Sequence, residues 1–418
     1  MEKPTVAFFQ SEKDQQKVAE RYRKLQDPYL QLLGNPCRTG SKILQIVNAN
    51  DQPSKTNLKN QKFLVWAALS DFTARLIEVG AEQGKIYKKM LKGHTGPVTS
   101  IAVVPNSGNV DSGQLVLTGS WDKTIKLWDT KSMSVVGIYE GHSDFVKSIF
   151  VPQHSEYFYS GSSDKKIIKW KLPSISNPKS SDFCPVKVFE GHRRGIEKIA
   201  ISDDGAILYS AGSDASVFAW DLSTGKQVFG KMCEINGKLK AVDENKEWSL
   251  VHETNVSDIV VAEGSIWTAS LDNFVCEWDA ATCIKNSNFK NTTGVRSILP
   301  IPARSIIFVG LRNGTINIWD MGSGECIKEI QAHADSIESM VASGGKVYTA
   351  SLDGSILTWD VEDVLKFDGF EYRPILNGMN GYTTVETNET ITKGGKVETS
   401  LMTEDEDREL QELLDDLE

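Results

Sequence analysis

The chain has 418 residues, 40% of them apolar, enough by length for two or three domains and by composition for a sizeable core. It has no run of 18 apolar residues and no basic-then-apolar leader, so neither a membrane span nor a secretory signal is expected. Its six cysteines include no C-x-x-C pair, which argues against zinc and a disulfide frame and suits a reducing, cytoplasmic or nuclear compartment.

Residues 1–40 precede any repeat and read as helical. Ser11-Glu12-Lys13-Asp14 is an Asp version of a capping box, and Val18, Tyr22 and Leu25 fall on one face. Asp27 and Pro28 end that helix and open a second one, running to Leu33 and closed by Gly34. Two or three turns are too few for a free coiled coil, so the segment packs on a larger body or meets a partner.

From residue 41 to 368 one frame recurs. Its clearest copy is TGSWDKTIKLWD, Thr118–Asp129: a Ser/Thr, an Asp six residues before a Trp, and an alternating run ending in Trp-Asp. Further copies are Ser160–Lys171, Ser210–Asp221, Thr268–Asp279, Val309–Asp320 and Thr349–Asp360. A worn seventh, Ala67–Glu78, has Ile77 at the Trp position. The Trp-to-Trp spacing runs from 40 residues (Trp319 to Trp359) to 58 (Trp220 to Trp278), the period of a repeat architecture. Alternation such as Ile125, Leu127 marks strands, and the Asp lies in the tight turn before them. Upstream stands a His, then an apolar residue four later and another three further on: His94, Val98 and Ile101, for example.

These motifs resemble the WD-repeat family, over roughly residues 41 to 365. The resemblance implies an all-β, seven-bladed propeller, one four-stranded blade per repeat. It also implies a hydrogen-bonded tetrad of His, Ser/Thr, Asp and Trp in each complete repeat. Five sets match: His94, Thr118, Asp122, Trp128; His142, Ser160, Asp164, Trp170; His192, Ser210, Asp214, Trp220; His252, Thr268, Asp272, Trp278; and His333, Thr349, Asp353, Trp359. The sixth blade has Asn291, Val309 and Asn313 at those places and keeps only Trp319; the first keeps only Asp71. A catalytic Ser-His-Asp triad occurs once, whereas this trio recurs five times at similar offsets, so the residues read as structural. No nucleophile with its own base, metal cluster or Gly-rich phosphate loop appears elsewhere, so no enzyme activity, cofactor or metal is expected.

Four insertions read as surface loops: Asn48–Asn60, Pro105–Gly113, Pro173–Asp182 and Gly230–Trp248. The last is the longest and has room for a hairpin or short helix. A propeller must close, and either terminus can add the last strand: Val364–Leu376, or an N-terminal stretch, Thr5–Phe9 or that near Tyr29. The N-terminal route is the commoner family arrangement and is favoured slightly. Residues 369–418 form an acidic tail with 13 acidic and 4 basic residues, which leaves the rest of the chain near neutral. Its Gly378–Lys396 stretch should be flexible. Thr403–Glu406 is a capping box, and Leu410, Leu413, Leu414 and Leu417 follow on one helical face, suited to a basic-rimmed apolar groove on a partner. A solubilising tail is the plainer alternative.

Partner peptides of WD-repeat proteins usually dock on the face that carries the tight turns. Among the matching residues, the candidates for binding are Trp121, Phe145, Lys147, Leu271, Arg296, Arg312 and Leu352. An exposed Trp beside a Phe and a Lys has the composition of a hot spot, and Arg296 with Arg312 suits an acidic or phosphorylated ligand. The expected function is therefore a non-enzymatic protein-interaction scaffold, an adaptor subunit of a larger complex. The alternative is a substrate receptor of a ubiquitin ligase. Receptors of the cullin-4 type carry Arg two residues after Trp-Asp, where this chain has Lys131, Ser223, Ala281, Gly322 or Glu362. Near-neutral blades and an acidic tail oppose nucleic-acid binding.

Overall fold

The computed structural model describes residues 36–366 except 50–62, 80–86, 106, 108–112, 174–182, 229–232, 236–237, 241–249 and 283. The N-terminal segment expected to be helical and the tail, with Leu410, Leu413, Leu414 and Leu417, lie outside the described residues, as do most residues of the four insertions.

Period-two sequence builds seven antiparallel sheets of four strands. Blade two shows the pattern: Val98–Val103 is innermost, followed by Leu115–Ser120, Ile125–Asp129 and Ser134–Tyr139. The other innermost strands are Ile43–Asn48, Val146–Phe150, Ile196–Ile201, Val256–Ala262, Val295–Ile301 and Ile337–Ser343. Each touches the innermost strand of the next blade, and the seventh touches the first, so the ring is closed. The core consists of apolar slabs between neighbouring blades. Leu127 and Tyr139 of blade two, for instance, pack with Phe158, Ile168 and Trp170 of blade three.

Two local features repeat around the ring and shape one of its faces. Each innermost strand bulges at its second residue, which adds one unpaired residue per blade: Leu44, Thr99, Lys147, Glu197, Ser257, Arg296 and Glu338. The residue after each turn Asp or its Asn counterpart has left-handed backbone, at Phe72, Lys123, Lys165, Ala215, Asn273, Gly314 and Gly354, with φ between 66° and 85°. Glycine takes that conformation freely, yet only two of the seven are glycine.

The closing strand comes from the N-terminal side, at Cys37–Arg38; Thr5–Phe9 and the stretch near Tyr29 lie outside the described residues. Cys37 pairs with Ile356 and Arg38 with Ser355, as the fourth strand of blade seven. Thr39 continues the seal, its N–H and its hydroxyl both donating to Gly354 O, at 2.8 and 3.0 Å. The C-terminal competitor enters no strand where it is described, because Val361–Lys366 is a short helix with Val361 and Val364 buried. The longest insertion interrupts the outer strand of blade four, which resumes at Leu250–Val251. Within it, Cys233–Ile235 and Lys238–Lys240 pair as a hairpin.

Candidate interaction face

In blades two, three, four, five and seven the structure brings the four expected tetrad residues together. His Nδ1–H donates to the turn Asp at 2.7–3.1 Å, and His Nε2 accepts from the Ser/Thr hydroxyl at 2.7–2.8 Å. The indole Nε1–H then donates to the same hydroxyl oxygen at 2.7–3.0 Å. Every donor therefore has an acceptor, which makes a buried polar set tolerable. The Asp also accepts the backbone N–H following the His, as Asp164 does from Ser143 at 2.9 Å. Burial alone would raise the Asp272 carboxyl, but hydrogen bonds from His252 and from the Phe274 and Glu253 N–H groups outweigh it and hold it at about 2. The same balance, each with its own His, lowers Asp122, Asp164, Asp214 and Asp353. Thr118, Ser160, Ser210, Thr268 and Thr349 are wholly buried and bonded on both sides, so none is placed to attack a substrate.

The two worn blades are better compensated than their sequences suggest. In blade six Trp319 is not alone: Asn291 Oδ1 accepts from Trp319 Nε1 at 3.1 Å and from Asn317 Nδ2 at 2.9 Å. Asn317 lies in the third strand, outside the four tetrad positions, and its single hint is a polar residue among apolar neighbours in INI. In blade one Asp71 is not alone either. It accepts from Ser41 Oγ at 3.0 Å and Thr73 Oγ1 at 2.6 Å, and Arg75 forms an ion pair with it.

On the face that carries these turns, the residue before each turn Asp or Asn donates its N–H to the carbonyl that opens the innermost strand: Trp121 to Pro97, Ser163 to Phe145, Ser213 to Gly195, Leu271 to Asn255, Arg312 to Gly294 and Leu352 to Ser336. That register sets one blade's turn against the next blade's opening residue. A Cβ on Gly195 would sit 3.0 Å from Ser163, and one on Gly294 3.1 Å from Leu271. At the seam of blades two and three the same two places hold Trp121 and Phe145, their rings stacked at 4.7 Å and 13°. Trp121 remains 45% exposed and Phe145 half-buried. Leu271 and Leu352 are likewise half-buried.

The charged candidates need correction. Arg296 is not free for a ligand, because Nε and Nη2 grip the Glu338 carboxylate at 3.1 and 2.5 Å. Lys147 is held by Glu197 at 2.6 Å. Bulge positions of neighbouring blades face each other, so these charges neutralise one another. Arg312 is exposed, and no ion pair to its side chain appears among the described residues. Among the described residues no helix is long and apolar enough to cross a membrane.

The family signature described as WD domain, G-beta repeat, matches residues 85–129, 133–171, 183–221 and 324–360. An uncharacterized WD repeat-containing protein of Schizosaccharomyces pombe is 27% identical over 85% of this chain and 88% of its own length. Small ribosomal subunit protein RACK1 of Caenorhabditis elegans is 33% identical over 65% of this chain and 79% of its own length. A ribosome biogenesis protein WDR12 homolog of Trichoplax adhaerens is 24% identical over 73% of this chain and 62% of its own length.

Proposed function

This chain belongs to the WD-repeat family, and from that premise we propose that it is a non-enzymatic scaffold whose partners dock on the face carrying Trp121 and Phe145. The observation that carries the reading is the stacked pair itself. An indole 45% exposed on a rigid turn, backed by a second ring, is a preformed anchor that loses little entropy on binding. Adaptor work in a multiprotein complex follows from a rigid ring with further attachment points. One of these is the acidic C-terminal segment, whose Leu410, Leu413, Leu414 and Leu417 form the contact stripe in this reading. The relatives whose names mention ribosomes make a ribosome-linked complex a reasonable first place to look.

The test is affinity purification of the tagged full chain against two variants, Trp121→Ala and the four-Leu-to-Ser tail. Trp121→Ala should weaken face partners by about 2 kcal/mol or more with the melting temperature nearly unchanged. A collapse in melting temperature would instead make Trp121 a packing residue. The tail variant should lose a separate subset of partners. Identical partner lists would reduce the tail to a solubiliser.

A further inference from the structure

We infer that the segment bound at Trp121 and Phe145 is an acidic peptide, with carboxylates flanking an apolar or aromatic anchor; this rests on the face reading above. The inner ring of the face supplies no net charge where its ions are paired, as Lys147–Glu197 and Arg296–Glu338 show. The outer ring differs by sector. At the left-handed turn position blades two and three have Lys123 and Lys165, whereas the others have Phe72, Ala215, Asn273, Gly314 and Gly354. At the two positions after the tetrad His, blade four has Arg193 and Arg194, and no other complete repeat has a cation at either. All four side chains are exposed, and none has an ion pair among the described residues.

These cations border the aromatic anchor. Lys123 is in the turn that holds Trp121. Lys165 is in the turn whose Ser163 bonds Phe145 O and meets Gly195, the residue after Arg194. The seam of blades two and three thus carries the apolar centre, and the cations of that seam and the next form its positive rim. Of the carboxylates in these turns, Asp122 and Asp164 are taken by His94 and His142, and Asp144 accepts the Phe145 N–H at 2.8 Å. Lysine at a left-handed position is disfavoured relative to glycine, and two neighbouring blades carry it nonetheless. Carboxylates suit such a rim: Arg takes them bidentately, and exposed Lys speeds their approach. At these positions the remaining blades have no cation, although blade six presents the single Arg312 one residue before its turn, so the acidic flanks also favour this sector of the ring.

The probe is a fluorescein-labelled dodecapeptide with Asp and Glu on both sides of a central Leu-Phe, together with its Asn/Gln twin. Anisotropy is read with the full chain at about 0.05 M and about 0.5 M salt, either side of strong screening. The acidic peptide should bind at least tenfold tighter than its twin at low salt, with the gap largely closed at high salt. A chain carrying K123S, K165S, R193S and R194S should bind both peptides at the twin's level, and W121A should lose both. Equal binding of the two peptides, or none of either, overturns the acidic class. Equal binding that still requires Trp121 leaves the face reading standing. Charge-dependent binding indifferent to W121A sinks the face reading itself.

Discussion

Asp164 closes its turn with both oxygens, taking His142 and the Ser143 N–H on one and the Lys166 N–H on the other. Asp164→Ala strands an imidazole N–H in a buried site and should cost about 2–4 kcal/mol. Asn313, at the same position in blade six, receives the Thr315 N–H and no tetrad His, so Asn313→Ala should cost much less. Chemical denaturation of the two variants decides, and equal losses would sink the tetrad account. Asp272 supplies a pH test. Its carboxyl lies at about 2, below the ordinary 3.8, so its ionised form stabilises the fold above about pH 4, and that contribution disappears as pH falls through 2. The gap in stability between wild type and Asp272→Asn should shrink by roughly 2 kcal/mol between about pH 5 and pH 2. A gap that stays constant across that range would mean the His252 bond does not hold the carboxylate.

At the scale of the strand and the blade, the repeat frame made most of the architecture legible: strand periodicity, turn Asp and buried Trp all sit at fixed offsets. Other contacts were illegible because they join residues of different repeats. Lys89 and Lys187, each in an outer strand, donate to carbonyls in the next blade, at Thr130 and Thr224, and Lys328 donates to Val364 O in the short helix that follows blade seven. Gln45, Ser148 and Asp258 likewise accept N–H groups of Ile101, Ile199 and Ile298 in the next innermost strand. The ion pairs that occupy Lys147 and Arg296 belong to the same class, which is why sequence offered those residues as free. One further element-level feature was visible: the residue after each tetrad hydroxyl position is Gly or Ala in all seven repeats, as at Gly119, Gly161 and Ala211. It faces the next innermost strand, and a Cβ on Gly119 would lie 2.5 Å from Ser100 Oγ and 2.7 Å from Val146 Cγ1. Gly119→Ala should therefore destabilise by about 1–3 kcal/mol through overpacking. The conversion Ala211→Gly at the equivalent place should cost only about 1 kcal/mol, chiefly backbone entropy. Thermal melts of the pair separate crowding from entropy, and a neutral Gly119→Ala would show that the seam has slack.

For the whole molecule the decisive contact is the smallest one. Seven blades bury their faces only in a closed ring, yet the last blade borrows its fourth strand from residues more than three hundred positions upstream. That strand is two residues long, so its own hydrogen bonds contribute little. Thr39 adds two bonds to Gly354, and Arg75 Nη1 donates to Thr39 O at 3.2 Å, tying blade one to the seal. Cys37 directly opposes Ile356, and opposed antiparallel residues have Cα atoms about 4.5–5.5 Å apart, inside the range a disulfide spans. Ile356→Cys should therefore join Cys37 under mild oxidation, since both positions are buried in one slab and face each other. The bond would cross-link most of the chain, and loop-entropy arithmetic gives about 6 kcal/mol for so long a loop. Losing the buried Ile356 side chain removes part of that, so the fair comparison is the same variant oxidised and reduced. Peptide mapping should find Cys37 linked to the introduced thiol in monomeric protein, and the oxidised form should melt well above the reduced one. Failure of that link to form in folded protein would mean that Cys37–Arg38 is not the strand that shuts the ring.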